Sequence, residues 1–352
     1  MDGLDRQQRQ ITVAPTLDET GQEIIPKRSF HYDTLVIAVG SVSNDFGIKG
    51  VKQHCLFLDT LGQARKFQQQ LLDKMLYMNT HQLPAKQKLN IAVIGGGATG
   101  VELAAQLHQV TRQLSVFGLD EVKPEENIAF SLIQAAPRIL PELPDSVADK
   151  VREGLSKLGV TILENERVVE VTKNTILTSA NKTLPADIAV WAAGIKAPEF
   201  LKKLDGLESN STNQLVTSEN LLTTRDENIF AMGDCAACPD RNGGNVPPRA
   251  QAAHQQASFI AKAITNRLSN KPFGRYRYKD YGSLVTLGRY STVGSLMGSI
   301  PGSIFITGII AKTVYLSLHK MHEVALYGWI RTFLLTLSKL LRHSVDPEVK
   351  LH

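Results

Sequence analysis

The sequence predicts an α/β chain of two Rossmann-like units followed by an amphipathic helical segment, and three observations predict it. A Gly-x-Gly-x-x-Gly run, IGGGATGVELA (Ile94 to Ala104), is entered from an apolar segment and followed by good helix formers. Two segments, Asp33 to Gly40 (DTLVIAVG) and Asp187 to Gly194 (DIAVWAAG), share one frame: Asp, four largely apolar residues, Ala, any residue, Gly. Such a pair is what an internal repeat of a nucleotide-binding domain would produce. Finally, Leu326, Trp329, Ile330, Phe333, Leu334, Leu337, Leu340 and Leu341 fill one arc of a helical wheel.

In chain order, residues 10–31 carry a Thr20-Gly21 turn signal between short β-branched runs, the pattern of a hairpin or small meander. YDTLVIAVGS (32–41) is a continuous apolar run of the kind expected for a buried parallel strand. A helix is expected around 59–80, then the strand NIAVIGGG and a helix to about Leu114. A strand over 127–134, a helix over 146–158, the strand VTIL, a short hairpin and ADIAVWAAG (186–194) complete this unit. ENIFAMGDCA (227–236) is a strand running into Gly233-Asp234, and Pro247-Pro248 open a further helix. Tyr290 to Ala311 is free of charge but broken by Gly and Pro, so it reads as strands and turns.

Gly95 lies 99 residues before Gly194. The same spacing applied to Gly40 puts a first fingerprint ahead of Met1, so the first unit is expected to be N-terminally truncated, without its opening strand-turn-helix. The expected domains are 1–86 with 199–288, then 87–198, then a C-terminal region 289–352.

With 43% hydrophobic and 21% charged residues, the composition excludes a disordered or fibrous chain. The polar N-terminus has no apolar signal-peptide core, and no run of about 18 apolar residues predicts a membrane-spanning helix. Three cysteines (Cys55, Cys235, Cys238) are too few for a disulfide framework and lack a second pair for zinc, so no metal is expected. Nucleic acid is not an expected partner. Of the net charge of +5, residues 312–352 carry +3, six Lys or Arg against three acids. A basic amphipathic helix suits the surface of an anionic bilayer, against the plainer alternative of docking on the protein's own core or on a partner in a homodimer.

In the Gly-rich turn, Gly95 permits the turn, Gly97 the approach of a pyrophosphate and Gly100 close packing of helix on strand. The phosphates then meet the helix N-terminus. Gln134 stands where an acid would normally hold the adenosine ribose, and Arg138 follows four residues on. NADPH is therefore expected to be accepted beside NADH, unless Gln134 merely ends a strand. Glu102, in the helix's first turn, either complements the helix dipole or serves proton transfer beside a ring. Asp234, at a strand end after Gly233, has the chemistry to take the ribityl hydroxyls of a flavin, with a plain Gly-Asp turn as the alternative. Gly40 and Gly194, at equivalent strand ends, are further candidate cofactor contacts. Gln251, His254 and Gln255 share one helix face, which is either a site or a solvated surface.

Together YDTLVIAVGS, NIAVIGGGATGVELA, VWAAGIKAPEF, IFAMGDCA and PPRAQAAHQ resemble the type II, non-proton-pumping NADH:quinone oxidoreductases, bacterial respiratory flavoproteins with two dinucleotide-binding domains. The resemblance spans essentially the whole chain. It implies that Asp234 holds FAD, that Gly95, Gly97 and Gly100 hold NAD(P)H, and that Ala250 to Gln255 carries the quinone-site pattern. Glu102, Gln251 and Gln255 would line the region where nicotinamide, flavin and quinone meet. It further implies hydride transfer to FAD and on to a membrane quinone, at the cytoplasmic face of the inner membrane, with peripheral attachment through the C-terminal helices. Two other readings compete: a redox-silent remnant unable to hold FAD, and a disulfide reductase using Cys235 and Cys238.

Overall fold

The computed structural model describes residues 1–18, 20–81, 88–116, 119, 122–241, 243–287, 292–296, 304–307, 317, 320, 321 and 323–342. The chain forms two compact units, Met1–Val42 with Ile195–Asp280, and Ser43–Gly194 with the segment from Tyr281 onward.

The second unit is built on a five-stranded parallel sheet in the order Val160–Leu163, Ile128–Ile133, Leu89–Ile94, Ile188–Trp191, Cys55–Leu56. Leu89–Ile94 can be almost wholly apolar because both faces are covered. One face packs Ile91, Leu132 and Val190 against Val101, Ala105 and Leu155 of two helices, Ala98–Val116 and Asp145–Lys157. The other packs Ile94, Ile133 and Trp191 against Ile176 of an antiparallel meander, Val168–Val171, Thr175–Thr178 and Thr183–Pro185. From the fingerprint strand the chain moves outward through Ile128–Ile133 to Val160–Leu163, then crosses back to Ile188–Trp191 on the other side. That reversal leaves a crevice at the carboxyl ends of the strands, where ligands of open α/β sheets bind.

The expected boundary at residue 86 is corrected. Residues 43–81 belong with this sheet: Cys55–Leu56 pairs in parallel with Ile188–Trp191, and Phe67, Leu71 and Met75 of the helix Leu61–Thr80 enter its core. That helix begins on a capping box, in which Thr60 and Gln63 satisfy each other's backbone N–H groups. Residues 281–287, expected with the other domain, also belong here, and Val285 and Leu287 are buried in the same core.

The first unit pairs Leu35–Ile37 in parallel with Asp226–Ala231, which also meets Leu222–Thr223. A second sheet joins Gly3–Asp5, Gln10–Val13 and Arg28–His31, with a small ladder of Thr16–Leu17 on Glu23–Ile25, so the expected meander is present. The strand in YDTLVIAVGS is shorter and less buried than expected. Among the described residues it has a single neighbouring strand, and Val36 and Val39 are 36% and 42% exposed. The helix Ala250–Leu268 buries Ala252, Ile260 and Ala263 against Leu221, Phe230 and Tyr276.

The C-terminal helix is also interrupted. Gly328 takes a left-handed φ of 77°, which separates helical residues 323–327 from the helix Trp329–Arg342. The arc drawn through Leu326 therefore spans two helical pieces. His343 and residues 297–303 and 308–316 lie outside the described residues; Thr292–Leu296 and Ile304–Thr307 are strands, which fits the expected strands and turns, and they run antiparallel in one sheet with Gly282–Thr286.

A methyl group on Gly100 would lie 1.8 Å from the Gly95 carbonyl oxygen, whereas one on Gly97 would meet nothing within 4 Å. Gly100→Ala is expected to cost about 2–3 kcal/mol and lower the melting temperature by about 5–10 °C. Gly97→Ala should keep the native melting temperature and lose dinucleotide affinity, as read by calorimetry. Equal melting temperatures for the two variants would contradict this packing.

Candidate functional site

The Gly-rich turn of the second unit is held from below. Gly95, at φ 115°, donates its N–H to the Ile133 carbonyl at 2.8 Å. Gly96 donates to Oε1 of Gln134 at 2.9 Å and accepts from the Leu140 N–H at 2.7 Å. Val101 N–H then bonds the Gly97 carbonyl and starts the helix. The open side of Gly97 faces no protein atom, so this turn has the room at a helix N-terminus that a pyrophosphate requires.

Beside it lies a cavity of about 740 Å³, whose wall includes Phe46, Gly95, Ile133, Gln134, Arg167 and Trp191. This size and largely apolar lining suit a nucleoside half of a dinucleotide. Trp191 is anchored by its indole N–H, which reaches the carbonyls of Asn44 at 2.8 Å and Ala193 at 3.1 Å. Gly194, at φ 72°, lies so close to the Phe46 ring that a side chain there would collide with it at 2.6 Å.

Gln134 lies on the cavity wall, and its amide is committed to the Gly96 N–H and, at 3.4 Å, to the Arg138 carbonyl. The expected part for Arg138 is corrected. Its guanidinium pairs with Asp145 at 3.0 Å, donates to the carbonyls of Pro141 and Leu143, and does not line the cavity.

Glu102 lies just past the first turn of Ala98–Val116 rather than within it as expected, is half-buried and accepts the Thr286 N–H at 3.0 Å. Burial pushes its carboxyl above the ordinary value of 4.5, and the Thr286 hydrogen bond opposes this only in part.

In the first unit, Asp234 follows Gly233 (φ 71°) at the end of Asp226–Ala231. Its carboxylate accepts from the Ser41 hydroxyl at 2.7 Å, one residue beyond Gly40 (φ 68°) at the end of the neighbouring strand. A carboxylate and a hydroxyl at paired strand ends are a donor set that fits a polyol chain. Gln214 donates to the Asp234 carbonyl at 2.9 Å, and buried Gln256 accepts the Gly233 N–H at 2.7 Å. Gln251 donates to Asp280 at 3.2 Å, while Gln255 forms a two-bond amide pair with the Lys279 backbone at 2.8 and 3.0 Å. His254 shares their helix and is half-buried.

Cys235 and Cys238 are buried free thiols. Burial raises both, Cys238 to about 11, so neither is a ready thiolate and the disulfide-reductase reading loses its nucleophile. Among the described residues no His, Cys, Asp and Glu cluster could hold a metal.

Residues 2–257 match the family model of the pyridine nucleotide-disulphide oxidoreductases. The type II NADH:quinone oxidoreductase of Haemophilus influenzae is 39% identical over 363 aligned positions, which cover 99% of this chain and 82% of that one. The chain belongs to the type II NADH:quinone oxidoreductase family. Among solved structures, NDH2 from Plasmodium falciparum in complex with NADH superposes with a TM-score of 0.80 at 20% identity, over 99% of this chain and 84% of that one. An FAD-dependent pyridine nucleotide-disulphide oxidoreductase from Desulfovibrio vulgaris gives 0.58 at 22% identity, over 84% and 66%. Both likenesses speak to the fold.

Within this type II oxidoreductase the candidates sort by unit. Gly95, Gly97, Gly100, Glu102, Gln134 and Gly194 stand in one, and Gly40, Gly233, Asp234, Gln251, His254 and Gln255 in the other. The sequence reading missed Ser41, Gln256, Phe46 and Arg167. Ser41 directly follows the repeated strand motif and is the one with a signal; the others come from distant segments that only folding brings to a turn or a wall.

Because Glu102 is held above its unfolded-state value, the native protein binds more protons there than the unfolded chain. Its contribution is fully present below about pH 4.5 and is lost as pH rises through the folded-state value. Glu102→Gln keeps the acceptor for Thr286 without the charge. Its melting temperature should exceed that of the parent at pH 8 and converge with it at pH 4; a constant offset across that range would contradict burial as the cause.

Proposed function

We propose that this oxidoreductase passes electrons from NADH, through FAD, to a membrane quinone. The observation that carries the reading is the braced Gly-rich turn opening on a cavity of about 740 Å³, in a chain 39% identical to the Haemophilus influenzae enzyme. In the second unit, Gly95, Gly97 and Gly100 and the N-terminus of Ala98–Val116 hold the pyrophosphate, and Glu102 stands on that helix to hold or move a proton near the nicotinamide. In the first unit, Asp234 and Ser41 take the ribityl hydroxyls of the flavin, and Gly40 and Gly233 allow the backbone to approach it. Bound FAD supplies a two-electron carrier able to accept hydride from nicotinamide and to be reoxidised by quinone. Gln251, His254 and Gln255 form the quinone-side helix face, kept in register by Asp280 and the Lys279 backbone.

The enzyme attaches peripherally to the cytoplasmic face of the inner membrane. No helix among the described residues is long and apolar enough to cross a membrane. On Trp329–Arg342, however, Trp329, Ile330 and Phe333 are 81%, 78% and 67% exposed. Large apolar side chains on a helix rich in Lys and Arg suit the headgroup boundary of an anionic bilayer, which places the enzyme beside a lipid-soluble substrate.

Two measurements test this. Purified protein should show a flavin absorbance band that NADH bleaches and a soluble quinone restores, and Asp234→Ala should lose most of the flavin. Colourless parent protein would sink the reading in favour of a remnant. The double variant Trp329→Glu, Phe333→Glu should lower binding to anionic vesicles by about tenfold or more while leaving NADH oxidation with soluble quinone intact. Unchanged vesicle binding would reject this helix as the anchor.

A further inference from the structure

We propose that Arg167 reads a 2′-phosphate on the adenosine ribose, so that the nucleotide cavity takes NADPH as well as NADH. The inference rests on the nucleotide-site reading above and adds a residue to it.

Three features of the second unit converge. The first concerns position. The Glu166 N–H bonds the Gln134 carbonyl at 2.9 Å and the Asn165 N–H bonds that of Ala136 at 3.0 Å, which ties residues 165–167 to the strand end where a ribose-binding acid normally stands. The Arg167 carbonyl accepts the Ser179 N–H at 2.7 Å, fixing the backbone from the other side. Arg167 and Gln134 thus share the cavity wall.

The second concerns charge. An acid at position 134 would repel a 2′-phosphate; Gln134 is neutral. The other charged groups on this wall are spent: Glu166 is buried and paired with Lys182, and Lys49 is paired with Glu170 at 2.7 Å. Arg167 is exposed and has no ion-pair partner among the described residues. The cavity's ribose end therefore carries an unneutralised positive charge.

The third concerns chemistry. A guanidinium offers paired N–H donors that match phosphate oxygens, and a nearby Arg is the usual means by which a Rossmann site accommodates a 2′-phosphate. Arg138, nearer in sequence, is held by Asp145 and two backbone carbonyls and cannot serve without breaking those bonds.

Calorimetric titration of the purified holoenzyme with ADP and with 2′,5′-ADP at low salt separates the outcomes, because neither ligand needs turnover. The parent should bind 2′,5′-ADP at least as tightly as ADP. Arg167→Ala should lose about tenfold or more for 2′,5′-ADP and less than twofold for ADP, with Arg167→Lys in between. In turnover, KM for NADPH should rise in Arg167→Ala while KM for NADH and both kcat values hold. Equal losses for the two ligands would make Arg167 an adenine or general contact, and no loss would remove it from the site; either overturns the proposal. Failure of the parent to bind even ADP would overturn the nucleotide-site reading and this inference with it.

Discussion

The close approach of Gly100 to the Gly95 carbonyl is the constraint on which the second unit depends. There is no room for a Cβ between them, so the helix Ala98–Val116 can lie directly on the strand that feeds it. That contact sets where the helix begins and where its free N–H groups point. Leu132 and Val190 beneath, and Val101 and Ala105 above, fill the sheet-helix interface around it, so the packing and the position of the helix N-terminus are one arrangement. Any residue that separates helix from strand spoils both.

Polar side chains do a second kind of holding. Gln134, Gln256 and Gln255 each spend their amides on backbone groups: the Gly-rich turn, the Gly233 turn and the Lys279 backbone. An amide can donate and accept at once without carrying charge, so it braces a half-buried turn at little desolvation cost. Replacing an acid by Gln134 accordingly alters two things together. It keeps the acceptor for Gly96 and removes a negative charge from the cavity wall, leaving Arg167 to dominate the local field.

Glu102 and the C-terminal helix show the opposite economy, groups kept in environments that disfavour them alone. A carboxylate with one backbone donor is held above its ordinary titration range. Trp329, Ile330 and Phe333 face outward from a helix that buries Thr332. Both are groups that the described fold leaves without full compensation.

Local pattern alone was enough to determine the central parallel strands, the fingerprint turn and the helix that follows it, because hydrophobic period and the sterics of glycine act over a few residues; it did not show the break at Gly328 in the C-terminal helix. The backbone demands at Gly95 and Gly100 were legible for the same reason. Domain membership was not: residues 43–81 join the second unit through a strand pairing made across more than a hundred residues and through three buried side chains. Nor could the sequence tell Arg138 from Arg167. Proximity along the chain favoured the first, but neighbouring carbonyls and Asp145 consume it, while the fold carries the second to the end of another strand. Which cation is free is decided by who else is near it in space, and only the tertiary structure supplies those neighbours.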